Sequence, residues 1–286
     1  MSERIGIIGG SGLYQMAGVR ITDERRIETP FGDPSDAVML GTLEGVPVAF
    51  LPRHGRGHRV SPTEINYRAN IYALKLLGVE QIIAVSAVGS MKESIVPGHL
   101  VLVDQFIDRT RSRPYTFFEH GIVAHVSFAD PVCAVLAQTL YEAGRGGGAT
   151  IHRGGTYVCI EGPQFSTRAE SRLFRSWGVD VIGMTNVQEA KLAREAEICY
   201  ATIALATDYD CWHEGEEAVD VTVVVEVLRR NVEKAQGLIR AAIAAVPRAP
   251  RTCACAGALR HAIMTAPEAI AEATRARLAP LIAKYV

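Results

Sequence analysis

The sequence predicts an α/β fold: a single domain with a mixed central β-sheet flanked by helices. Three observations point to it. Short, β-rich apolar runs alternate with stretches of helical periodicity along the chain. Nearly every run ends in a small or polar cluster, as expected of strands whose loops converge beyond their carboxyl ends. The composition, 48% hydrophobic and 21% charged over 286 residues with 26 glycines and 13 prolines, is that of a globular chain long enough for one large core.

Residues 4–8 read as a buried first strand, and 38–43 and 46–51 as a strand pair joined at Glu44-Gly45. Residues 61–77 read as a helix. Ser61-Pro62-Thr63-Glu64 matches a capping box with proline at the first helical position, Ile65, Ala69, Tyr72 and Leu76 form one apolar stripe, and Gly78 is the stop. Strands follow at 81–86, 100–106, 156–160, 179–184 and 200–207, with helices at 131–142, 167–177, 187–198 and 220–245. Pro247 to Pro250 mark a break, and 267–285 a last helix. The domain organisation expected is a main unit over 1–246 with a helical tail, 247–286, packed on it.

Thirty lysines and arginines against 31 acids give a formal charge of −1, so no basic field is available to hold nucleic acid, and the expected partners are small molecules. The apolar run after Met1 is too short for a signal peptide, and no stretch reaches the roughly 18 apolar residues of a membrane span. A cytosolic protein with no membrane partner is expected. Six cysteines, the first four of them scattered, argue against a secreted disulfide framework.

The clusters at the strand ends carry the chemistry. Gly10-Ser11-Gly12 begins like a dinucleotide-binding loop, but Gln15 stands where its last glycine is required, which leaves a turn whose amides and Ser11 hydroxyl could hold an anion. Taken alone, it is better explained as an ordinary glycine turn. Arg53-His54-Gly55-Arg56-Gly57-His58 puts two guanidinium groups on a glycine-broken loop, suited to an oxyanion or simply solvated. Metal binding there is disfavoured, because the glycines prevent a helix that would align His54 with His58. Asp208-Tyr209-Asp210 closes an apolar strand: one carboxylate can accept from an exocyclic amine while the other gives a proton to a ring nitrogen, or the pair simply caps a turn.

Together these clusters resemble the purine nucleoside phosphorylase family, most closely its branch acting on S-methyl-5'-thioadenosine. The resemblance rests on Gly9 to Leu13, Arg53 to His58, Pro62 to Asn70, Glu161 to Glu170, Met184-Thr185-Asn186 and Ala206 to Trp212, matched in order over residues 5 to about 240. It implies the nucleoside phosphorylase type of α/β fold. Inorganic phosphate, as co-substrate, would be held by Ser11, Arg53, His54, Ser86, Ala87 and Thr185. The ribose would lie over Met184, and the base would meet Phe165, Ser166, Asp208 and Asp210. An apolar pocket from Val221, Val224 and Val225 would take the 5'-methylthio group, closed by His125 from the next subunit of a homotrimer. Read without the resemblance, the valines form a core stripe with Leu228 and Val232, and His125 is a core histidine.

Ser166 with two aspartates fits adenine, where a 6-oxopurine enzyme would carry Glu and Asn. The implied reaction is phosphorolysis to adenine and 5-methylthioribose 1-phosphate, a salvage step, with Asp208 assisting the leaving base at N7 and no metal or organic cofactor. A 6-oxopurine or methylthioinosine preference is the alternative. Relatives from hot environments can close a tail Cys-x-Cys disulfide. In a reducing cytosol, Cys253 and Cys255 are expected as free thiols, with zinc disfavoured because only His261 is near in sequence.

Overall fold

The computed structural model describes residues 4–10, 13, 15–213, 221–246 and 251–286, with main chain alone at 221–225. Its strands are β1 (Arg4–Gly9), β2 (Val19–Arg25), β3 (Val38–Leu43), β4 (Val46–Pro52), β5 (Val79–Ser90), β6 (Leu100–Leu102), β7 (Gln105–Asp108), β8 (Ile151–Arg153), β9 (Thr156–Cys159), β10 (Val181–Gly183) and β11 (Cys199–Asp208). The helices are α1 (Tyr67–Leu76), α2 (Ala134–Gly144), α3 (Arg168–Ser176), α4 (Asn186–Glu195), α5 (Val221–Ile243) and α6 (Glu272–Ile282). The strands form one mixed sheet in the order β2-β3-β4-β1-β5-β10-β9-β7, with β11 and then β6 and β8 branching from β5.

β5 organises the domain. Successive side chains of a strand face opposite sides, so Ile82 and Ala84 are buried with Ile71 of α1, Ala193 of α4 and Leu278 of α6. Ile83 and Val85 are buried on the other face with Leu136 of α2 and Ile239 of α5. Both faces of the sheet are therefore covered, which is why β5 and β11 carry near-continuous apolar runs. β11 pairs parallel with β5 from Cys199 opposite Gln81 to Asp208 opposite Gly89, and antiparallel with β6 on its other edge. Beyond Arg251 the chain crosses back, Cys255 still packing on the second face and Leu259, Ile270 and Leu281 joining the same core as Ile71.

The β3–β4 hairpin turns at Glu44-Gly45, as expected, with φ of 50° and 80° at the two residues. Such paired left-handed residues match the twist of the flanking strands. Several readings change. The run at 100–106 divides into β6 and β7, because the chain leaves β11 and β8 and takes β9 as its partner after Leu102. β2 and β8 were not legible: β2 is an exposed edge strand of polar sequence, and β8 is three residues long. Helix α1 starts at Tyr67, not Ser61. Glu64 does reach back to the Ser61 amide at 3.0 Å, but this closes an isolated turn, and Asn66 caps the helix by accepting from the Ala69 amide at 3.1 Å.

The stripe on α1 is also broader than its spacing suggests, since Asn70, Ile71 and Ala73 are buried while Leu76 is exposed. Capping-box geometry is instead found at α3, where Thr167 and Glu170 satisfy each other's amides. The last helix is shorter than residues 267–285, because Ile270 is extended after a short 3-10 turn at Pro267–Ala269. The expected break between Pro247 and Pro250 lies outside the described residues. No helix among the described residues is long and apolar enough to cross a membrane.

Candidate active site

A cavity of about 440 Å³ opens where β1, β4, β5, β10 and β11 end. Loops beyond the carboxyl ends of strands converge there. It gathers Arg53, His54, Ser86, Ala87, Phe165, Ser166, Met184, Thr185, Asp208 and Asp210, residues scattered over 158 positions of sequence.

The polar end is built by Arg53, Ser86 and Thr185. Arg53 is 2% exposed, and its Nε and Nη2 donate to the two carboxylate oxygens of Glu189 at 2.5 and 3.0 Å, while Nη1 donates to the Val85 carbonyl at 2.8 Å. The bidentate fork that sequence reasoning turned toward an anion is thus spent on Glu189, because a guanidinium this deeply buried needs its own countercharge. Glu189 holds the buried guanidinium firmly protonated in spite of its burial. Ser86 and Thr185 bring their hydroxyls to 3.4 Å of each other. Thr185 is the N-cap of α4, and its side chain makes no capping hydrogen bond. Thr185 and Ser86 thus bring two hydroxyls to the cavity wall beside a buried guanidinium, an arrangement that favours an anion.

His54 stacks on His58, ring centroids 4.3 Å apart, and its Nδ1 lies 2.8 Å from the Val60 carbonyl. A carbonyl only accepts, so Nδ1 carries the proton and Nε2 is left as an acceptor. Burial, with Arg53 adding, pushes the imidazole down to about 4. His54 is neutral at pH 7, able to accept from a protonated oxyanion rather than to supply charge. An imidazole near 6.5 in the unfolded chain takes up a proton first as pH falls, so this contribution to stability is intact above 6.5 and declines toward 4. Denaturant titrations of His54→Gln and wild type at pH 7 and pH 4 should therefore differ by up to about 2–3 kcal/mol in favour of the variant at the lower pH. An equal offset at both values would contradict a buried neutral His54.

At the opposite end, Asp208 Oδ2 accepts from the Thr207 hydroxyl and Oδ1 from the Asp210 amide, both at 2.7 Å. Gly89 makes room for this carboxylate, since a Cβ there would lie 3.0 Å from Asp208 Oδ1. Asp210 is 7% exposed, and burial pushes its carboxyl above the ordinary value. The Ser166 and Ser171 hydroxyls approach Asp210 without reaching hydrogen-bond geometry, and both are buried without a partner. Phe165 stands at the cavity wall 49% exposed. An exposed ring, an unpartnered hydroxyl and two carboxylates match a flat heterocycle carrying donors at its edge.

Met184 lies between the two ends. Its sulfur would be 2.5 Å from a Cβ at Gly162, where φ is 65°, so only glycine allows the 161–163 loop this close. That loop is held by Arg113, 3% exposed, which donates to the carbonyls of Met184 and Glu161, the Tyr67 hydroxyl and the Gln188 side chain. Sequence reasoning missed Arg113 and Glu189. Arg113 sits among other arginines in a segment without helical or strand periodicity, and Glu189 looks like any helical acid. Only their burial distinguishes them.

The remaining expected site residues stand as follows. Ser11 lies outside the described residues, although Gly10 and Leu13 on either side of it line the cavity. The side chains of Val221, Val224 and Val225 are likewise outside them; further along α5, Leu228 and Val232 reach the cavity wall. His125 is exposed on this chain, which corrects its reading as a core histidine, and it does not line the cavity.

Residues 4–244 match the signature of the phosphorylase superfamily. The S-methyl-5'-thioadenosine phosphorylase of Geobacter sulfurreducens is 60% identical, with all of both chains covered, and that of Gloeobacter violaceus is 57% identical over 99% of this chain and 96% of its own. Among solved structures, a methylthioadenosine phosphorylase from an antarctic soil metagenomic library superposes with a TM-score of 0.94 at 51% identity, covering 99% of this chain and all of that one. The Schistosoma mansoni methylthioadenosine phosphorylase in complex with adenine gives 0.83 at 36%, with 98% of each covered. Signature, fold and full-length similarity agree: the chain belongs to the phosphorylase superfamily.

Proposed function

We propose that the protein is a pentosyltransferase that cleaves S-methyl-5'-thioadenosine with inorganic phosphate, yielding adenine and 5-methylthioribose 1-phosphate. The observation that carries this reading is the two-ended cavity, with an anion-favouring end at Arg53, Ser86 and Thr185 and a base-reading end at Phe165, Ser166, Asp208 and Asp210. The full-length relatives support it. Phosphate is gripped by the Ser86 and Thr185 hydroxyls, Ser11 and the Ala87 backbone. The Arg53–Glu189 pair sets the local field, and His54 Nε2 accepts from a protonated phosphate oxygen. Met184 carries the ribose. As the glycosidic bond lengthens, its electron pair passes into the purine, Asp208 relays a proton toward N7, and a phosphate oxygen attacks C1'. No metal or organic cofactor enters these steps.

The 5'-methylthio group lies against α5, beside the wall formed by Leu228 and Val232, with Val221, Val224 and Val225 as the residues that would take it. The exposed His125 fits closure of a neighbour's pocket in a homotrimer. His125→Ala should raise KM for the nucleoside several-fold with KM for phosphate nearly unchanged, and light scattering should give three chains per particle; a monomer at micromolar concentration overturns the shared site. The reaction recycles adenine and a thiosugar, a salvage role in the cytoplasm. Adenine release measured with and without phosphate tests the whole reading. Release without phosphate indicates a hydrolase, and no release under either condition a binding protein. Catalytic efficiency should fall about ten- to a hundredfold from S-methyl-5'-thioadenosine to methylthioinosine, since a 6-oxo acceptor facing a carboxylate leaves a buried group mispaired. Equal efficiencies would contradict the adenine assignment.

A further inference from the structure

Four of the six cysteines, Cys133, Cys199, Cys253 and Cys255, converge at the opposite end of the sheet from the cavity. Cys199 opens β11 and Asp208 closes it, so roughly 30 Å of extended chain lies between them. Every pair of the four sulfurs lies within 4.8 Å, and those of Cys199 and Cys253 are 3.4 Å apart. None of the four is disulfide-bonded, and three are buried. A zinc ion with four sulfur ligands at about 2.3 Å needs its sulfurs roughly 3.8 Å apart at the corners of a tetrahedron. The cluster already has that dimension. Each position is set by the fold: Cys133 is the N-cap of α2, with its amide donating to the Tyr200 carbonyl at 2.8 Å. Cys199 is in register with Gln81 of β5, and Cys253 and Cys255 flank Ala254 at the opening of a 3-10 turn.

A second observation points the same way. Arg251 lies against Cys199 and is anchored by Nη1 on Glu80 at 2.5 Å and Nη2 on the Glu197 carbonyl at 3.1 Å, while its Nε is buried without a partner. Four thiolates around Zn²⁺ carry two net negative charges, which an adjoining guanidinium offsets. Two disulfides would be neutral and gain less from that guanidinium.

We propose that Cys133, Cys199, Cys253 and Cys255 hold a structural zinc ion that pins the chain beyond α5 to the sheet. The ion displaces the thiol protons to solvent, and four protein ligands leave no open position, so it takes no part in the reaction. Counting neighbours in sequence found only His261 beside the pair; folding supplies Cys133 and Cys199 instead.

The test is metal analysis of the untagged, full-length protein produced in zinc-supplemented medium and purified under reducing conditions. About one zinc per chain is expected, retained in Cys211→Ser and falling to under about a tenth in Cys253→Ser/Cys255→Ser. Removing the ion with a chelator and adding Co²⁺ should produce the thiolate-to-cobalt charge-transfer band of a tetrahedral sulfur site, a readout independent of whether the serine variant folds. Wild-type protein without zinc and without a cobalt band overturns the proposal. So does mass spectrometry after denaturing alkylation that finds any two of the four joined as a disulfide.

Discussion

Asp208→Asn should lower turnover on S-methyl-5'-thioadenosine by about 10²- to 10⁴-fold, the range for loss of a positioned acid–base group. The substitution keeps the shape, and the new side-chain oxygen can still accept from the Thr207 hydroxyl or the Asp210 amide, which now hold the carboxylate at 2.7 Å each. Binding should therefore suffer less than turnover, so kcat falls far more than KM changes. Discrimination against 6-oxopurines should also narrow, because an amide can donate where a carboxylate cannot. Steady-state kinetics on both substrate classes measures this. If Asp208→Asn retains turnover within a few-fold while Asp210→Asn loses it, the proton passes through Asp210, whose carboxyl burial already pushes up.

Glu189→Ala should destabilise the fold by about 3–5 kcal/mol, because it leaves the Arg53 guanidinium buried without its countercharge. Both partners are almost fully enclosed, with side-chain exposures of 3% and 1%, so solvent cannot replace the lost carboxylate. The Tyr200 hydroxyl, which donates to Glu189 at 2.9 Å, loses its acceptor in the same step. The double variant Arg53→Met/Glu189→Leu should recover much of the stability while leaving phosphate binding impaired, since removing both charges removes the desolvation problem but also the field at the polar end. Urea midpoints and phosphate KM values together decide it. A Glu189→Ala protein as stable as wild type would mean that Arg53 finds another partner and that the pair is not what fixes this end of the cavity.

The helices and strands that sequence reasoning placed well share a physical property: their burial is sufficient to leave a period. β5 and β11 are enclosed on both faces and read as unbroken apolar runs, and the Glu44-Gly45 turn is written in residues that tolerate positive φ. Elements that escaped it have no such signature. β2 sits at an edge with six of its seven residues exposed, so nothing in its side chains is selected for a core. Ser61 to Glu64 carries the local chemistry of a helix start and makes half of its contact, Glu64 reaching the Ser61 amide, yet the helix begins at Tyr67, whose side chain is buried against the loop and donates its hydroxyl to the Pro62 carbonyl at 2.9 Å.

By itself the sequence determined the α/β class, the order of most elements and, because strand-end clusters are local and chemically distinctive, Arg53, His54, Asp208 and Asp210 of the cavity; Ser86, Ala87, Phe165, Ser166, Met184 and Thr185 followed from the family resemblance. Tertiary structure alone decided how those residues are used. It turned the Arg53 fork onto Glu189, buried Arg113 as the clamp of the 161–163 loop, exposed His125 and drew four distant cysteines to one point. Each of these depends on a partner far away along the chain: Glu189 is 136 residues from Arg53, and Cys253 is 54 from Cys199. Spacing along a sequence reports periodicity and local hydrogen bonding. The pairing of buried charges and the meeting of thiols are set by which faces the sheet brings together, and that is a property of the packed molecule.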